Sequence, residues 1–300
     1  MRSDPALPSE APTWPGPAFQ GLRERVVRAG GIDIGLYKDR CVLRRLGARL
    51  RAAGAYDLAG YCRRLDEDPE ELPRLVEALT VNVSEFFRNQ ATYRALAREV
   101  FPRLVGEKRA DGRRGIRLWS AGCATGEEPY SLAIALSEHL GAARPDFSVV
   151  VLASDVDAAS LAVARAGRYP ARSLARLPRA IVARYFEGTR EGYRVSRAIR
   201  KMVHFRQHNL LDPFPFTRID VALFRNVLIY MARPLPSQLL KTFFDVLNPG
   251  GFLVLGKVEG LAGPARDRFQ VVNLAERIYR RARPARPGPA HHPSREAHGR

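Results

Sequence analysis

The sequence predicts an α/β chain, a doubly wound parallel sheet preceded by a small all-helical domain. Three observations carry that prediction. Residues 116–136 read as a buried strand, a tight glycine loop and a helix. Residues 148–155 read as a second buried strand that ends on an acid. Residues 21–106 carry helical periodicity.

The first unit is built from Ile116, Leu118 and Trp119 in the strand, Gly122 and Gly126 in the loop, and Tyr130 to Leu136 in the helix. The glycines permit positive φ and close approach of a ligand to the backbone. Thr125 is placed to cap the helix, and Glu127 and Glu128 suit its positive N-terminal dipole. Two glycines alone also serve plain turn geometry, and the loop lacks the Gly-Lys-Ser/Thr of a Walker phosphate cradle. The second strand, Ser148 to Ser154, ends at Asp155, where a carboxylate can accept from ribose hydroxyls. Loop and acid together point to an adenosine-containing cofactor, either a dinucleotide or S-adenosylmethionine.

The chain has 300 residues, 46% apolar and 27% charged, as in ordinary globular proteins. No apolar run approaches the ~18–20 residues that span a bilayer, so no membrane insertion is expected. The N-terminal residues are rich in proline and alanine without a signal pattern, which predicts a cytoplasmic protein. Cys41, Cys62 and Cys123 are an odd set without metal spacing, read as free thiols. The net charge is +18. The last twenty residues contribute +4 and the first twenty −1, so the body itself carries +15 and favours a polyanionic partner.

In order, residues 1–20 read as a disordered tail, 21–106 as the helical domain, 107–114 as a polar linker, 115–281 as the α/β domain with a small β insertion near 184–206, and 282–300 as a disordered basic tail. Tyr37 to Ala53 is an amphipathic helix with Leu43, Leu46 and Leu50 on one stripe. Its other faces carry Lys38, Arg40, Arg44, Arg45, Arg49 and Arg51, offset by Asp39 alone. Such runs are commonly solvated faces. Here the excess of cations is read as a docking surface for an acidic partner, through Arg40, Arg44, Arg45, Arg49 and Arg51. His204 and His208 straddle a strand end and are not read as a metal pair, so no metal is expected. Asn248 to Gly251 is read as the loop ending a helix over 235–247.

Three segments carry a family resemblance. Trp119-Ser120-Ala121-Gly122 through Gly126-Glu127-Glu128-Pro129-Tyr130-Ser131, Leu79 to Arg88, and Arg225-Asn226-Val227-Leu228-Ile229-Tyr230 resemble the motifs of the chemotaxis receptor glutamate methyltransferases (the CheR family), in order and spacing. The resemblance spans about residues 30–280. It departs at Gly256-Lys257-Val258-Glu259, where the family often has Gly-His-Ser-Glu. It implies a class I S-adenosylmethionine-dependent methyltransferase with closing antiparallel strands at 269–272 and 277–279. It also implies a small β-subdomain that, in some members, grips a tether at the receptor C-terminus. The implied reaction is methyl transfer to glutamate side chains of chemoreceptors, giving γ-methyl esters, with S-adenosylhomocysteine as the other product.

By the same resemblance, Asn82, Ser84, Arg88, Gly122, Glu128, Asp155, Asn209, Leu210, Arg225 and Asn226 border the cofactor. Asp155 is assigned to the ribose and Glu128 to the amino-acid end. Arg88, Arg225 and Tyr230 are implied as catalytic residues that hold the substrate carboxylate. The partners implied are acidic cytoplasmic helices of chemoreceptors, met by a monomer without nucleic acid. A carboxylate is already nucleophilic at neutral pH, so alignment and desolvation suffice. Two other readings share the fold: an RNA methyltransferase, prompted by the basic body, and a non-catalytic S-adenosylmethionine-binding regulator, prompted by Lys257. Against the first, Asn226 to Ile229 is not a Pro-Pro-Tyr/Phe base-gripping segment.

Overall fold

A computed structural model describes residues 16–80 and 84–283. The chain begins with four helices, α1 (Pro17–Gly30), α2 (Asp39–Ala52), α3 (Leu58–Glu67) and α4 (Glu71–Leu79), with a 3-10 turn at Ile34–Leu36. Each presents apolar residues one turn apart to a common core: Leu22 and Val26, Val42 and Leu46, Tyr61 and Leu65, Leu75 and Leu79. Burying each such side chain contributes about 1.5–3 kcal/mol. The core also encloses the carboxylate of Glu71, 2% exposed, which accepts from Tyr61 Oη at 2.7 Å and from both ends of the Arg49 fork. Residues 17–20, expected in a disordered tail, form the first turn of α1, where proline at the helix start forfeits no intrahelical bond. The remainder of that tail, residues 1–15, and residues 284–300 lie outside the described residues.

A continuous rod leads to the sheet: α5 (Gln90–Ala95), a π-helical turn over Leu96–Val100, and α6 (Phe101–Ala110). It corrects the expected linker, since residues 107–110 are the last turn of α6. That turn is held because Lys108 is buried and its Nζ pairs with Asp220 at 2.8 Å.

The α/β part runs β1 (Gly115–Ala121), α7 (Glu127–Leu140), β2 (Ser148–Asp155), α8 (Ala158–Ala166), β3 (Arg168–Tyr169), α9 (Ala171–Leu174), α10 (Arg179–Tyr185), β4 (Phe186–Thr189), β5 (Gly192–Val195), α11 (Arg197–Arg200), β6 (Val203–Gln207), β7 (Ile219–Phe224), α12 (Leu235–Val246), β8 (Leu247–Leu255), α13 (Ala265–Arg268), β9 (Phe269–Asn273) and β10 (Ile278–Arg281). Seven strands make one sheet in the order β6-β2-β1-β7-β8-β10-β9. The first five are parallel, and β10 and β9 close the sheet antiparallel, as expected for a class I methyltransferase. The central strands are buried on both faces, which explains their unbroken apolar runs. Trp119 is fully buried on β1, stacked against Phe243 of α12, with its indole N–H donated to Ser154 Oγ at 3.0 Å.

The β insertion differs from the expected 184–206. It is a three-stranded sheet, β3-β5-β4, that begins at Arg168. Arg184 and Tyr185 close helix α10 rather than opening a strand, and β6 belongs to the edge of the main sheet through its pairing with β2. Asn248 to Gly251 also lies within a strand: Ile219 pairs with Leu247 and Val221 with Phe252, so these residues bulge from β8. Among the described residues, no helix is long and apolar enough to cross a membrane.

Candidate active site

A cleft of about 310 Å³ opens at the C-terminal ends of β1, β2 and β7, where open α/β sheets place their ligands. Its floor is the glycine loop. Gly122 and Cys123 donate their N–H groups to the carbonyl of Ser154, at 2.8 and 3.0 Å, which draws the end of β1 onto β2. Gly122 has φ +74°, and a Cβ there would lie 2.7 Å from Val227. Gly126, at φ +95°, is the residue that starts α7, and no side chain caps that helix. Thr125 instead donates its hydroxyl to Glu127 at 2.7 Å, a correction to its expected capping role. Cys123 is buried, and burial pushes its thiol well above the ordinary value, so it is a small filler rather than a nucleophile.

Four acidic residues line the cleft, Asp33, Glu85, Glu128 and Asp155. Asp155 accepts from the backbone of Ala124 at 2.7 Å and of Asp157 at 3.0 Å. Burial nevertheless raises its carboxyl above the ordinary aspartate value. Glu128 accepts from Ser120 Oγ at 2.8 Å and from Arg225 Nη1 at 3.0 Å. Arg225, its side chain 1% exposed, gives its other terminal nitrogen to the carbonyl of Arg88 at 2.9 Å. Both terminal nitrogens are thus engaged, by Glu128 and by the Arg88 backbone, and this geometry orients Glu128. Arg88, Ser84, Leu210, Asn226 and Tyr230 all line the same cleft. Asn82 lies outside the described residues.

The segment carrying Arg225 to Tyr230 is held from below by a residue that sequence reasoning did not assign. Glu259, buried, accepts the N–H groups of Asn226 and Val227 at 2.9 Å each, of Ile229 at 3.3 Å and of Gly256 at 2.6 Å. Asn226 is thereby fixed at φ +61°, an uncommon conformation for a residue with a side chain. The neighbouring departure from the family pattern has its own partner, since Lys257 Nζ pairs with Glu276 at 2.8 Å and Thr92 donates to the same carboxylate.

The roof of the cleft comes from the helical domain, through Gly31, Ile32, Leu36 and Tyr37, none of which the sequence assigned to the site, and through Leu79, which opens the motif Leu79 to Arg88. Backbone bonds seat it: Lys38 N–H to the Tyr230 carbonyl at 2.8 Å and Ala232 N–H to the Leu36 carbonyl at 2.9 Å. Lys38 Nζ adds a bond to the Ile229 carbonyl at 2.8 Å. Asn209 lines the cleft but donates its amide to the Gly31 carbonyl at 2.6 Å, so it also ties roof to floor.

Of the expected docking residues, Arg40, Arg44 and Arg51 are exposed on α2. Arg49 and Arg45 are half-buried and have partners within the chain. Arg49 is committed to buried Glu71, and Arg45 donates to the Leu79 carbonyl at 2.6 Å while its guanidinium lies 4.9 Å from the Tyr230 ring centroid.

The cleft fits an adenosine cofactor with a cationic amino-acid end. It offers the carboxylates of Asp155 and Glu128, an apolar lining from Leu210, Val156 and Val227, and a floor that approaches closely only because residue 122 is glycine. Two of its residues also hold buried nitrogens without a protein partner, Nε of Arg225 and Nδ1 of His208. Burial lowers the His208 pKa, which favours the neutral ring.

Comparison with known proteins agrees with these observations. The profile of the CheR methyltransferase all-alpha domain matches residues 17–80, and that of the CheR methyltransferase SAM binding domain matches residues 82–278. The chain is 37% identical over 247 residues to chemotaxis protein methyltransferase 2 of Pseudomonas aeruginosa, covering 80% of this chain and 85% of that one. It is 33% identical over 250 residues to a chemotaxis protein methyltransferase of Listeria monocytogenes, covering 83% and 92%.

Proposed function

The chain belongs to the CheR methyltransferase family and is a protein-glutamate O-methyltransferase with an S-adenosylmethionine-binding domain; from that premise we propose that it esterifies glutamate side chains on acidic cytoplasmic helices of chemoreceptors. The observation that carries the reading is the gathering of Asp155, Glu128, Arg88 and Tyr230 in one cleft roofed by the helical domain. Asp155 would hold the ribose hydroxyls, and Glu128, oriented by Arg225, the ammonium of the amino-acid end. Leu210, Val156 and Val227 would pack the base. When bound, S-adenosylmethionine supplies a methyl group on a sulfonium that leaves as a neutral thioether.

The remaining work falls to the chain's own side chains. The incoming glutamate is ionised at neutral pH and needs no general base. Arg88 and the hydroxyl of Tyr230 would orient it. Too strong a grip would stabilise the ground state, so a neutral hydroxyl beside one cation suits the task. The roof residues Leu36, Tyr37 and Leu79 would exclude water, which strengthens every polar contact beneath them. Arg40 and Arg44 are exposed on α2, the helix whose Arg45 lies over the Tyr230 ring, and would serve as a docking surface for the acidic receptor helix. The enzyme acts in the cytoplasm, as a monomer.

The test uses methyl-labelled S-adenosylmethionine with receptor-containing membranes and counts label released as methanol by mild base. Base-labile label on a receptor-sized band is expected. Arg88→Ala is expected to lower turnover by about 10²-fold without changing thermal stability. Cofactor binding with no base-labile label on any receptor would sink the reading.

A further inference from the structure

Arg88 sits between two residues in the left-handed region, Phe87 at φ +53° and Asn89 at φ +61°. Residues with side chains seldom adopt it, and such a backbone persists only where its surroundings hold it. Phe87 donates its N–H to Ser131 Oγ at 2.8 Å, and the Arg88 carbonyl accepts from Arg225 at 2.9 Å. The Asn89 carbonyl accepts from the Thr92 N–H at 2.8 Å. Tyr93 packs beside them, its ring centroid 4.9 Å from that of Phe87 and 5.9 Å from the Arg225 guanidinium.

Helix α5 carries this hold outward to the turn between β9 and β10. Thr92, buried in the first turn of α5, donates its hydroxyl to Glu276 Oε2 at 2.8 Å. The Glu276 N–H is donated to Asn273 Oδ1 at 3.0 Å. Asn273 donates its amide to Glu99 Oε1 at 2.8 Å, in the π-helical turn that follows α5. The β9–β10 turn is thus bound twice to the rod that follows Arg88.

The other oxygen of Glu276, Oε1, accepts from Lys257 Nζ at 2.8 Å. Lys257 lies in the loop after β8, two residues before Glu259, which gathers the N–H groups of Asn226, Val227 and Ile229. Burial opposes the charge of Glu276. The bonds from Lys257 and Thr92, with the charges of Lys257 and Arg225, nevertheless hold its carboxyl below the ordinary value. One ionised carboxylate therefore joins the rod after Arg88 to the loop beneath Tyr230. Among the described residues, neither Lys257 nor Glu276 lines the cleft.

We propose that Glu276, together with Lys257, is a positioning residue for methyl transfer, fixing the gap between the segment of Arg88 and that of Tyr230. The proposal rests on the receptor-methylating reading above, in which these two side chains orient the substrate carboxylate. Transfer needs oxygen, methyl and sulfur in line, so a small change in that gap costs rate without weakening either binding step. Lys257 stands where the chain departs from the family pattern, so the pair lies outside the motifs that carry the resemblance.

The test measures methylation kinetics with the cytoplasmic fragment of a chemoreceptor at saturating S-adenosylmethionine. Lys257→Met removes the cation and keeps the stem, and the side chain is 43% exposed, so folding is not threatened. Glu276→Gln keeps the shape and the bond from Thr92. Each is expected to lower kcat about fivefold, with KM for the fragment and affinity for S-adenosylhomocysteine unchanged. Lys257→Arg, which keeps the cation, is expected to restore most of the wild-type kcat. The double variant Lys257→Met with Glu276→Gln should lose little more than either alone, since both remove one interaction. Unchanged kcat in both single variants, with or without a lower melting temperature, overturns the proposal and leaves the pair a purely structural one. A raised KM at unchanged kcat also overturns it and assigns Lys257 to receptor contact. Losses that multiply in the double variant overturn the shared action of the two residues. Wild-type enzyme that forms no base-labile ester on the fragment overturns the receptor reading and this proposal with it.

Discussion

Glu259 reaches back across 33 residues to Asn226, whose amide donates to its Oε2 at 2.9 Å. The same carboxylate takes three further backbone N–H groups, so one side chain fixes the segment that bears Arg225, Asn226 and Tyr230. Residue 256 must be glycine for this to happen, because a Cβ there would lie 2.6 Å from Glu259 Oε2. Glu259→Gln keeps the shape but turns an NH₂ group toward amides that are themselves donors. With about 1–3 kcal/mol lost for a buried donor left unpaired, stability is expected to fall by about 2 kcal/mol. Cofactor affinity is expected to fall about tenfold as the loop loosens. Thermal unfolding with calorimetric titration of S-adenosylhomocysteine checks both, and full affinity in a well-folded variant would remove Glu259 from the site's support.

Asp155, if it holds the ribose, sets the expected pH dependence of cofactor binding. Burial raises its carboxyl above the ordinary value of 3.8 despite the amides that favour its charged form. Ribose hydroxyls donate best to the ionised acid, so affinity is expected to be full at neutral pH and to weaken as pH falls through that raised pKa. The decline should therefore begin above the usual aspartate range. Asp155→Asn is expected to bind about 10–100-fold more weakly at pH 7 and to lose this acid limb. Titrations between pH 4 and 8, as about the useful range, decide the point. A variant with the wild-type pH profile would place the titrating group elsewhere.

The glycine loop, the acid ending β2 and the helical start were legible in the sequence because each depends on neighbours along the chain. Ser148–Asp155 has the extent its local pattern predicts. What escaped depends on partners distant in sequence. Arg49 reads as one more surface cation on an amphipathic helix until Glu71, 22 residues on, is seen buried beneath it. Val203–Gln207 reads as part of the insertion because nothing local reveals its pairing with β2. The roof residues Tyr37 and Leu79 carry ordinary helical-domain patterns, and only the seating of that domain on Tyr230 and Ala232 brings them over the cleft.

Arg49 makes a prediction opposite to a docking role. Its side-chain hydrogen bonds hold the Glu71 carboxyl below its ordinary value, against the opposing effect of burial. A carboxylate with a lowered folded pKa contributes stability above its unfolded value of 4.5, and loses it as pH falls through the folded pKa. Arg49→Met leaves Glu71 buried with Tyr61 as its main remaining donor. The expected loss at pH 7 is about 3 kcal/mol, shrinking in acid as Glu71 protonates in the variant. Denaturant unfolding at several pH values reads this directly. Receptor KM, measured below the melting transition, is expected to be unchanged, and a raised KM with wild-type stability would return Arg49 to the docking surface.

Tyr230, which lines the cleft, separates the role of a ring from that of a hydroxyl. Its ring is held by Arg45, 4.9 Å from the centroid, and Arg45 is anchored to the Leu79 carbonyl of the roof. Its backbone carbonyl accepts from Lys38 at 2.8 Å. Tyr230→Phe keeps all of these contacts and removes only the hydroxyl. If that hydroxyl orients the substrate carboxylate, kcat should fall about 10–100-fold with little change in cofactor affinity or melting temperature. Arg45→Ala removes the cation from the ring face and is expected to produce a milder loss of kcat, about threefold, because the tyrosine keeps its backbone position but a looser ring. Combined, the two substitutions should cost little more than Tyr230→Phe alone, since Arg45 would act through the hydroxyl that is already gone. Losses that multiply in the double variant would instead give Arg45 an independent part in binding the receptor helix.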